Sequence, residues 1–201
     1  MDAYCVDVTL EFLAVAFHNI LYHASIYPRN IFATRKKYGI VVYRCSHPDV
    51  NKYVDRCLKS IERALRTDEL YRVEFAITDE HLKPALKFAF DFERVAVQDD
   101  AADAYLVRCE QNLRAFCLQL LTVSHRFQGL PADRSFAISL LTNESLEVEL
   151  ASMPELEDFP LVEAESEVDE MDAIVPLRRV TIRNYSIDTY IELPKPWTFC
   201  S

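Results

Sequence analysis

Five histidines and six cysteines hold most of the nucleophilic and metal-binding chemistry open to this 201-residue chain, and their spacing decides how much of it is usable. His18 and His23 are five residues apart, about 500° around a helix, so they do not share a face as an HExxH pair would. His47, His81 and His125 fall near the ends of expected elements, where capping or solvent contact accounts for them. The cysteines at 5, 45, 57, 109, 117 and 200 include no CxxC pair, and no Cys/His set repeats at zinc-finger intervals, so no metal site is read. Cys45 and His47 have the types of a thiol and its base, but residues two apart rarely face each other in a turn, and no third group orients them. From Glu144 to Asp172 there are twelve Asp or Glu and no Lys or Arg. Such a run has the carboxylates for acid–base pairs, yet without glycine or histidine markers it is ordinarily a solvated face. A small thiol or acid/base hydrolase, using Cys45 or this run, is the enzyme alternative. Only two glycines are present, Gly39 and Gly129, which excludes a Gly-rich phosphate loop and with it the common nucleotide-binding motifs. No cofactor is implied.

Half of the residues are hydrophobic and 27% charged, the composition of a folded domain. The formal charge is 22 − 32 = −10, but removing the acidic run leaves 22 − 20 = +2 for the remainder. One acidic segment therefore sits on a near-neutral body, and charge alone leaves DNA contact through that body open. Asp2, Asp7 and Glu11 interrupt any secretory apolar region at the start, and no apolar run is expected to approach the roughly 20 residues of a membrane span. The cysteines are expected to be buried free thiols in a reducing setting, cytosol or nucleus.

The elements that must position these residues follow from periodicity. Residues 3–26 read as a helix apolar nearly all round, with a narrow polar face through Asp7, Glu11, His18 and Ser25, ended by Pro28. It is expected at the centre of the core. A basic linker holding Arg35, Lys36 and Lys37 leads to a strand from Ile40 to Tyr43. Ser46 with Asp49 has capping-box spacing, with Pro48 in the first turn, and opens a second helix that runs to about Arg66 along Val50, Val54, Cys57, Leu58, Ile61 and Leu65. The period then switches to two: Tyr71 to Ile77 and Leu86 to Phe92 form an expected hairpin. A third helix covers about 101–127, and Phe136, Ile138 and Leu140 mark another strand. After the acidic segment, Ile174 to Ile182 and Tyr185 to Leu193 read as two more strands. The fold class is α+β, helices on one face of an antiparallel sheet, with a tail that adds strands at a sheet edge. Such a tail either holds a peptide against the body by strand addition or merely completes the sheet; pattern leaves both open.

Three stretches carry a family resemblance: EFLAVAFHNILYHASIYPRNIFATRKKYGI (Glu11 to Ile40), HPDVNKYVD (His47 to Asp55) and EQNLRAF (Glu110 to Phe116). The marks are the helix-ending IYP with IF shortly after it, the RKKY linker and the HP-x-x-N-x-Y helix start. The chain resembles the HORMA-domain family from about Tyr4 to Leu193, and within it the branch of accessory subunits of translesion DNA polymerase zeta. The resemblance implies a core over 1–143 and a C-terminal "seatbelt" over 144–201 of the same domain, an acidic loop (144–172) followed by two strands, that closes over an extended proline-containing peptide. It implies a nuclear (and cytoplasmic) non-catalytic adaptor in DNA damage tolerance and repair. This adaptor would bridge the polymerase's catalytic subunit to a Rev-one-type scaffold polymerase, with DNA contact indirect and no membrane role. Further partners implied are a second HORMA domain, as homodimer or heterodimer, and an AAA+ ATPase remodeller. A spindle-checkpoint or chromosome-axis HORMA protein is the alternative within the family.

Residues follow one at a time from the resemblance. Tyr53 matches the tyrosine that lines the peptide groove, and its place beside the apolar stripe of the second helix suits a ring that covers a ligand while its hydroxyl finds a polar partner. Asp158, Phe159 and Pro160 match the seatbelt turn, but Leu161 stands where the family has tryptophan. Arg114, opposite the Leu113/Phe116/Leu120 stripe, matches the arginine at the dimer interface. Ile174, Asp188 and Tyr190 match the scaffold-polymerase surface, with Asp188 replacing an amide. Arg35, Lys36 and Lys37 are either a solvated turn or a patch for DNA or a partner.

Overall fold

The computed structural model describes residues 1, 3–96, 102–142 and 171–194. Most of the acidic segment, including Asp158, Phe159, Pro160 and Leu161, therefore lies outside the described residues, as does Cys200. Helix α1 (Ala3–His23) is followed by a short 3₁₀ turn at Arg29–Ile31, strands β1 (Phe32–Lys37) and β2 (Ile40–Cys45), and helix α2 (Pro48–Thr67). Then come β3 (Leu70–Thr78), β4 (Pro84–Arg94), helix α3 (Ala102–Val123), a 3₁₀ turn (Ser124–Gly129), β5 (Ser135–Thr142), β6 (Met171–Ile182) and β7 (Tyr185–Pro194).

Three expectations shift. The basic linker is a strand: β1 pairs with β2 from Phe32 opposite Cys45 to Lys37 opposite Ile40. The joint is the two residues Tyr38 and Gly39, both at positive φ, which is the turn whose twist suits a tight hairpin. The cap of α2 is His47 rather than Ser46, since the His47 ring nitrogen accepts from the Asp49 N–H at 3.3 Å. The third helix tightens into 3₁₀ geometry after Val123 instead of continuing to Phe127.

The main sheet is antiparallel throughout, with strand order β5-β3-β4-β7-β6. The two tail strands are thus its far edge, and β5 is the near one. Fold class is as expected: three helices cover one face. Helix α1 is the central element, with Phe12, Leu13, Phe17, Ile20 and Leu21 fully buried. It is long and apolar enough to cross a membrane by length and composition, yet most of it is enclosed by the protein. Its rings lock into those of the sheet and α3: Phe12 meets Phe116 edge-on at 5.0 Å, and Phe17 meets Phe75 at 5.6 Å. Burying each such ring contributes on the order of 2–3 kcal/mol, so this cluster fixes where α1 and the sheet lie.

Candidate functional site

Among the described residues, His18, His47 and the five buried cysteines serve the fold. His18, placed on the polar face of α1 by its spacing, is buried, because its Nδ1 accepts from the Cys45 N–H of β2 at 3.4 Å. Burial first, then the nearby Arg44, lowers its pKa to about 4, so the ring is neutral. Asn19 serves β2 in the same way, accepting from the Tyr43 N–H at 3.3 Å. Cys45 is buried while His47 caps α2 at the surface, so the pair is not arranged as nucleophile and base. Burial pushes the Cys57 and Cys117 thiols up to about 12, which leaves them unreactive. No cluster of metal-ligating side chains occurs among the described residues.

What the fold does prepare is a sheet edge. Among the described residues, strand β5 pairs with β3 on one side only, so every second residue turns its N–H and C=O outward. The Ile138 N–H is one of these, and it donates to the Tyr53 hydroxyl of α2 at 3.1 Å. Period two then assigns Phe136 and Leu140 to the same outward row. Tyr53 is half-buried, and its ring meets Phe136 edge-on at 5.4 Å; Phe136 in turn stacks on Phe75 at 5.2 Å and touches Tyr27. Burial raises the Tyr53 pKa to about 12, so the phenol keeps its proton. Sequence reasoning singled out Tyr53 but not its neighbours Phe136 and Tyr27, whose apolar types gave no sign that they gather beside one edge.

The tail strands add a second surface. Cross-strand partners share a face, so Ile174, Asp188 and Tyr190 all lie on the sheet face away from the helices. The fold therefore brings the three together. Ile174 is 66% exposed, whereas Asp188 is held by Arg179 of β6 with Nε to Oδ1 at 2.6 Å. Tyr190 belongs to a network that sequence reasoning missed. Arg72 grips Asp91 through two bonds of 2.5 and 3.0 Å, donates to the Tyr190 hydroxyl at 2.5 Å, and approaches Glu74 and Glu192 at 3.4 Å. The Tyr190 hydroxyl donates to Asp91 at 2.7 Å. Burial first, then Asp91, raises the Tyr190 pKa, and burial with the neighbouring Glu74 raises that of Glu192. The one available signal was the alternation of charges along β3 and β4, which marks a polar face but not its pairing.

Arg114 is exposed on α3, with its guanidinium beside the Gly39 turn of the β1–β2 hairpin. Strand β7 is fastened at its start. The Tyr185 hydroxyl of β7 donates to Asp68 and accepts from Arg94 Nε at 3.0 Å, and Arg94 also pairs with Asp68. Asp68 is the C-cap of α2 in the left-handed conformation, so this knot ties helix, β4 and tail together.

Comparison with known proteins agrees with this architecture. The HORMA domain family model matches residues 6–156. A human relative, "Mitotic spindle assembly checkpoint protein MAD2B", is 30% identical over 188 residues, covering 92% of this chain and 89% of its own. "DNA polymerase zeta subunit 2" of Drosophila melanogaster is 24% identical over 190 residues, covering 92% of this chain and 96% of its own. Among solved structures, a chain of "Crystal Structure of Mitotic Checkpoint Complex" superposes with a TM-score of 0.79 at 17% identity, over 94% of this chain and 97% of that one. "Structure of C. elegans HTP-2 bound to HIM-3 closure motif" superposes at 0.64 with 10% identity, over 92% and 88%. With the family model spanning most of the chain, and relatives that bear the polymerase-zeta and checkpoint names expected from the resemblance, this protein belongs to the HORMA-domain family.

Proposed function

We propose that the chain is a non-catalytic adaptor that captures an extended, proline-containing peptide along the free edge of β5, as an accessory subunit of DNA polymerase zeta in translesion synthesis. The observation that carries this reading is the outward row of β5, with the Ile138 N–H already held by Tyr53. A strand added there gains main-chain hydrogen bonds, while the Tyr53 and Phe136 rings supply a side-chain contact. The topology supports it as well. Residue 142 ends the strand at one edge of the sheet and residue 171 begins the strand at the other, so consecutive strands of the chain sit at opposite edges. Residues 144–201 are accordingly read as the seatbelt on a core of 1–143, with Leu161 as the apolar cover over the ligand. A relative is named as a polymerase zeta subunit, and a solved HORMA chain is described as bound to a closure motif. In this reading the ligand is a peptide of the catalytic subunit. The surface of Ile174, Asp188 and Tyr190 receives a Rev-one-type scaffold polymerase, Arg114 pairs with a second HORMA domain, an AAA+ ATPase remodels the closed form, and the protein works in the nucleus.

The test is purification of the chain from its own cells, with identification of what copurifies. A polymerase catalytic subunit, lost on Tyr53→Ala, is the expected result. The checkpoint name of the human relative favours a second reading within the family, and copurification of a checkpoint activator instead would establish it.

A further inference from the structure

The β1–β2 hairpin carries an imbalance that the adaptor reading leaves unused. Between Ala24 and Ser46 there are five cations, Arg29, Arg35, Lys36, Lys37 and Arg44, and no acid, in a chain of net charge −10. Lys37 is engaged by Glu11 at 2.6 Å. Among the described residues no carboxylate pairs with Arg29, Arg35, Lys36 or Arg44, and all four are exposed. Aromatic rings lie between them. Tyr22 of α1 and Tyr43 of β2 are parallel within 9° with centroids 3.4 Å apart, Phe32 and His23 meet Tyr22 edge-on at 5.4 and 5.2 Å, and Arg29 lies over the Tyr22 ring at 5.4 Å. All four rings are half-buried rather than enclosed. Thr34 faces Tyr43, and Lys36 faces the exposed Val41 two pairs on, so Lys36 and Tyr43 share a face of the hairpin, while Arg35, opposite Val42 in the pair between, lies on the other face.

We infer that this hairpin is a single-stranded nucleic-acid contact, with Arg29 and Lys36 on phosphates beside the Tyr22/Tyr43 platform, which stacks an unpaired base, and Arg35, on the ribbon's other face, on a phosphate beyond the hairpin edge. The chemistry separates it from two other anions. An acidic peptide needs the cations but has no use for partly exposed rings, and a duplex offers phosphates but keeps its bases stacked inside. Direct contact of this kind goes beyond an adaptor whose approach to DNA is only through its partners, and it involves neither the β5 edge nor the tail face.

The experiment is fluorescence anisotropy of a labelled oligo-dT of about 20 nucleotides with the full chain, between 50 and 200 mM salt. Three phosphate contacts give a slope of log K on log salt of about −2. Arg35→Glu with Lys36→Glu should weaken binding at least tenfold and bring the slope toward −1. Tyr43→Leu should weaken binding while leaving the slope unchanged, since it removes a stacking face and no charge. Should the double reversal fold poorly by circular dichroism, Arg29→Ala, a single surface change that removes one contact, should weaken binding and bring the slope to about −1.4. Binding of oligo-dT unaltered in the charge variants, no binding at 50 mM salt, or equal affinity for duplex DNA or poly-glutamate would each overturn the inference.

Discussion

Tyr53 shows how much one side chain can be asked to do. Its ring packs on Phe136 and its hydroxyl receives the Ile138 N–H, so two variants separate the two tasks. Tyr53→Phe should cost about 1 kcal/mol of stability, the worth of one hydrogen bond, and leave peptide affinity within severalfold because an incoming carbonyl can take the freed N–H. Tyr53→Ala also removes the ring and should weaken peptide binding by about 2 kcal/mol or more, as loss of an aromatic anchor does. Denaturant melts and peptide titration of both variants check this; equal affinity of wild type and the alanine variant would remove Tyr53 from the groove. His18 makes a prediction about pH. Folded, it takes a proton only near pH 4, whereas unfolded it does so near 6.5. The unfolded state therefore binds more protons between these values, and stability present above pH 6.5 is lost as pH falls toward 4, by on the order of 3 kcal/mol. His18→Gln, which keeps an acceptor for the Cys45 N–H, should flatten stability between pH 6.5 and 4.5 in urea titrations. Tyr53 is singled out by the family resemblance of its helix-start motif, and its bond to Ile138, 85 residues away, is not readable from that motif. The core role of His18 was not legible in the sequence, since periodicity placed it on a polar face and its partner is a backbone group 27 residues away.

At the scale of elements, helices and strands with a strong period came through within a few residues of their ends. Strand β1 did not, because TRKK has the charge of a loop and becomes a strand only through its register with β2 and the Tyr38–Gly39 turn. The cap of α2 was misplaced for a related reason: Ser46 fits the motif, but its neighbour His47 aims a nitrogen at the same N–H. Sequence also said nothing of the knot at Asp68, Arg94 and Tyr185, which lie in three separate elements. Burial of Asp68 works to raise its pKa, but the Met1 ammonium, the Tyr185 hydroxyl and Arg94 outweigh it and hold the carboxyl below its usual range. A depressed carboxyl contributes stability above its unfolded pKa of about 4, and that contribution is lost as pH falls through the lower folded value. Asp68→Asn should therefore lower stability at pH 7 and narrow the difference between pH 7 and pH 3. Because Tyr185 opens β7, hydrogen exchange in the variant should rise first in β6 and β7; exchange raised evenly over the whole sheet would mean that the knot does not act on the tail.

For the whole molecule, strand order matters more than any single contact. β5 and β6 are consecutive in sequence yet occupy opposite edges of a five-stranded sheet, about 19 Å apart at four inter-strand spacings. The residues between them reach up to about 90 Å when extended, so length does not prevent the chain from passing outside a strand added to β5 before returning. If it does so, the ligand is enclosed by covalent chain on one side and by paired strands on the other, and release requires either threading or unpairing of β6 and β7 from β4. Affinity and lifetime then part company: contacts set the first, while the closed loop sets the second. Cutting the chain once, at a protease site inserted between residues 142 and 171, separates them. The cut leaves β6 and β7 paired through the β4–β7 ladder and the Asp68 knot, so the protein should remain folded by circular dichroism and stay soluble, whereas truncation after Leu141 would bare the β4 edge to aggregation. The peptide contacts along β5 also survive the cut, but the enclosure does not. The peptide off-rate should rise at least tenfold on cleavage, measured by displacement of a labelled peptide before and after protease. An unchanged off-rate in a fully cleaved and folded sample would mean that the tail completes the sheet and restrains nothing.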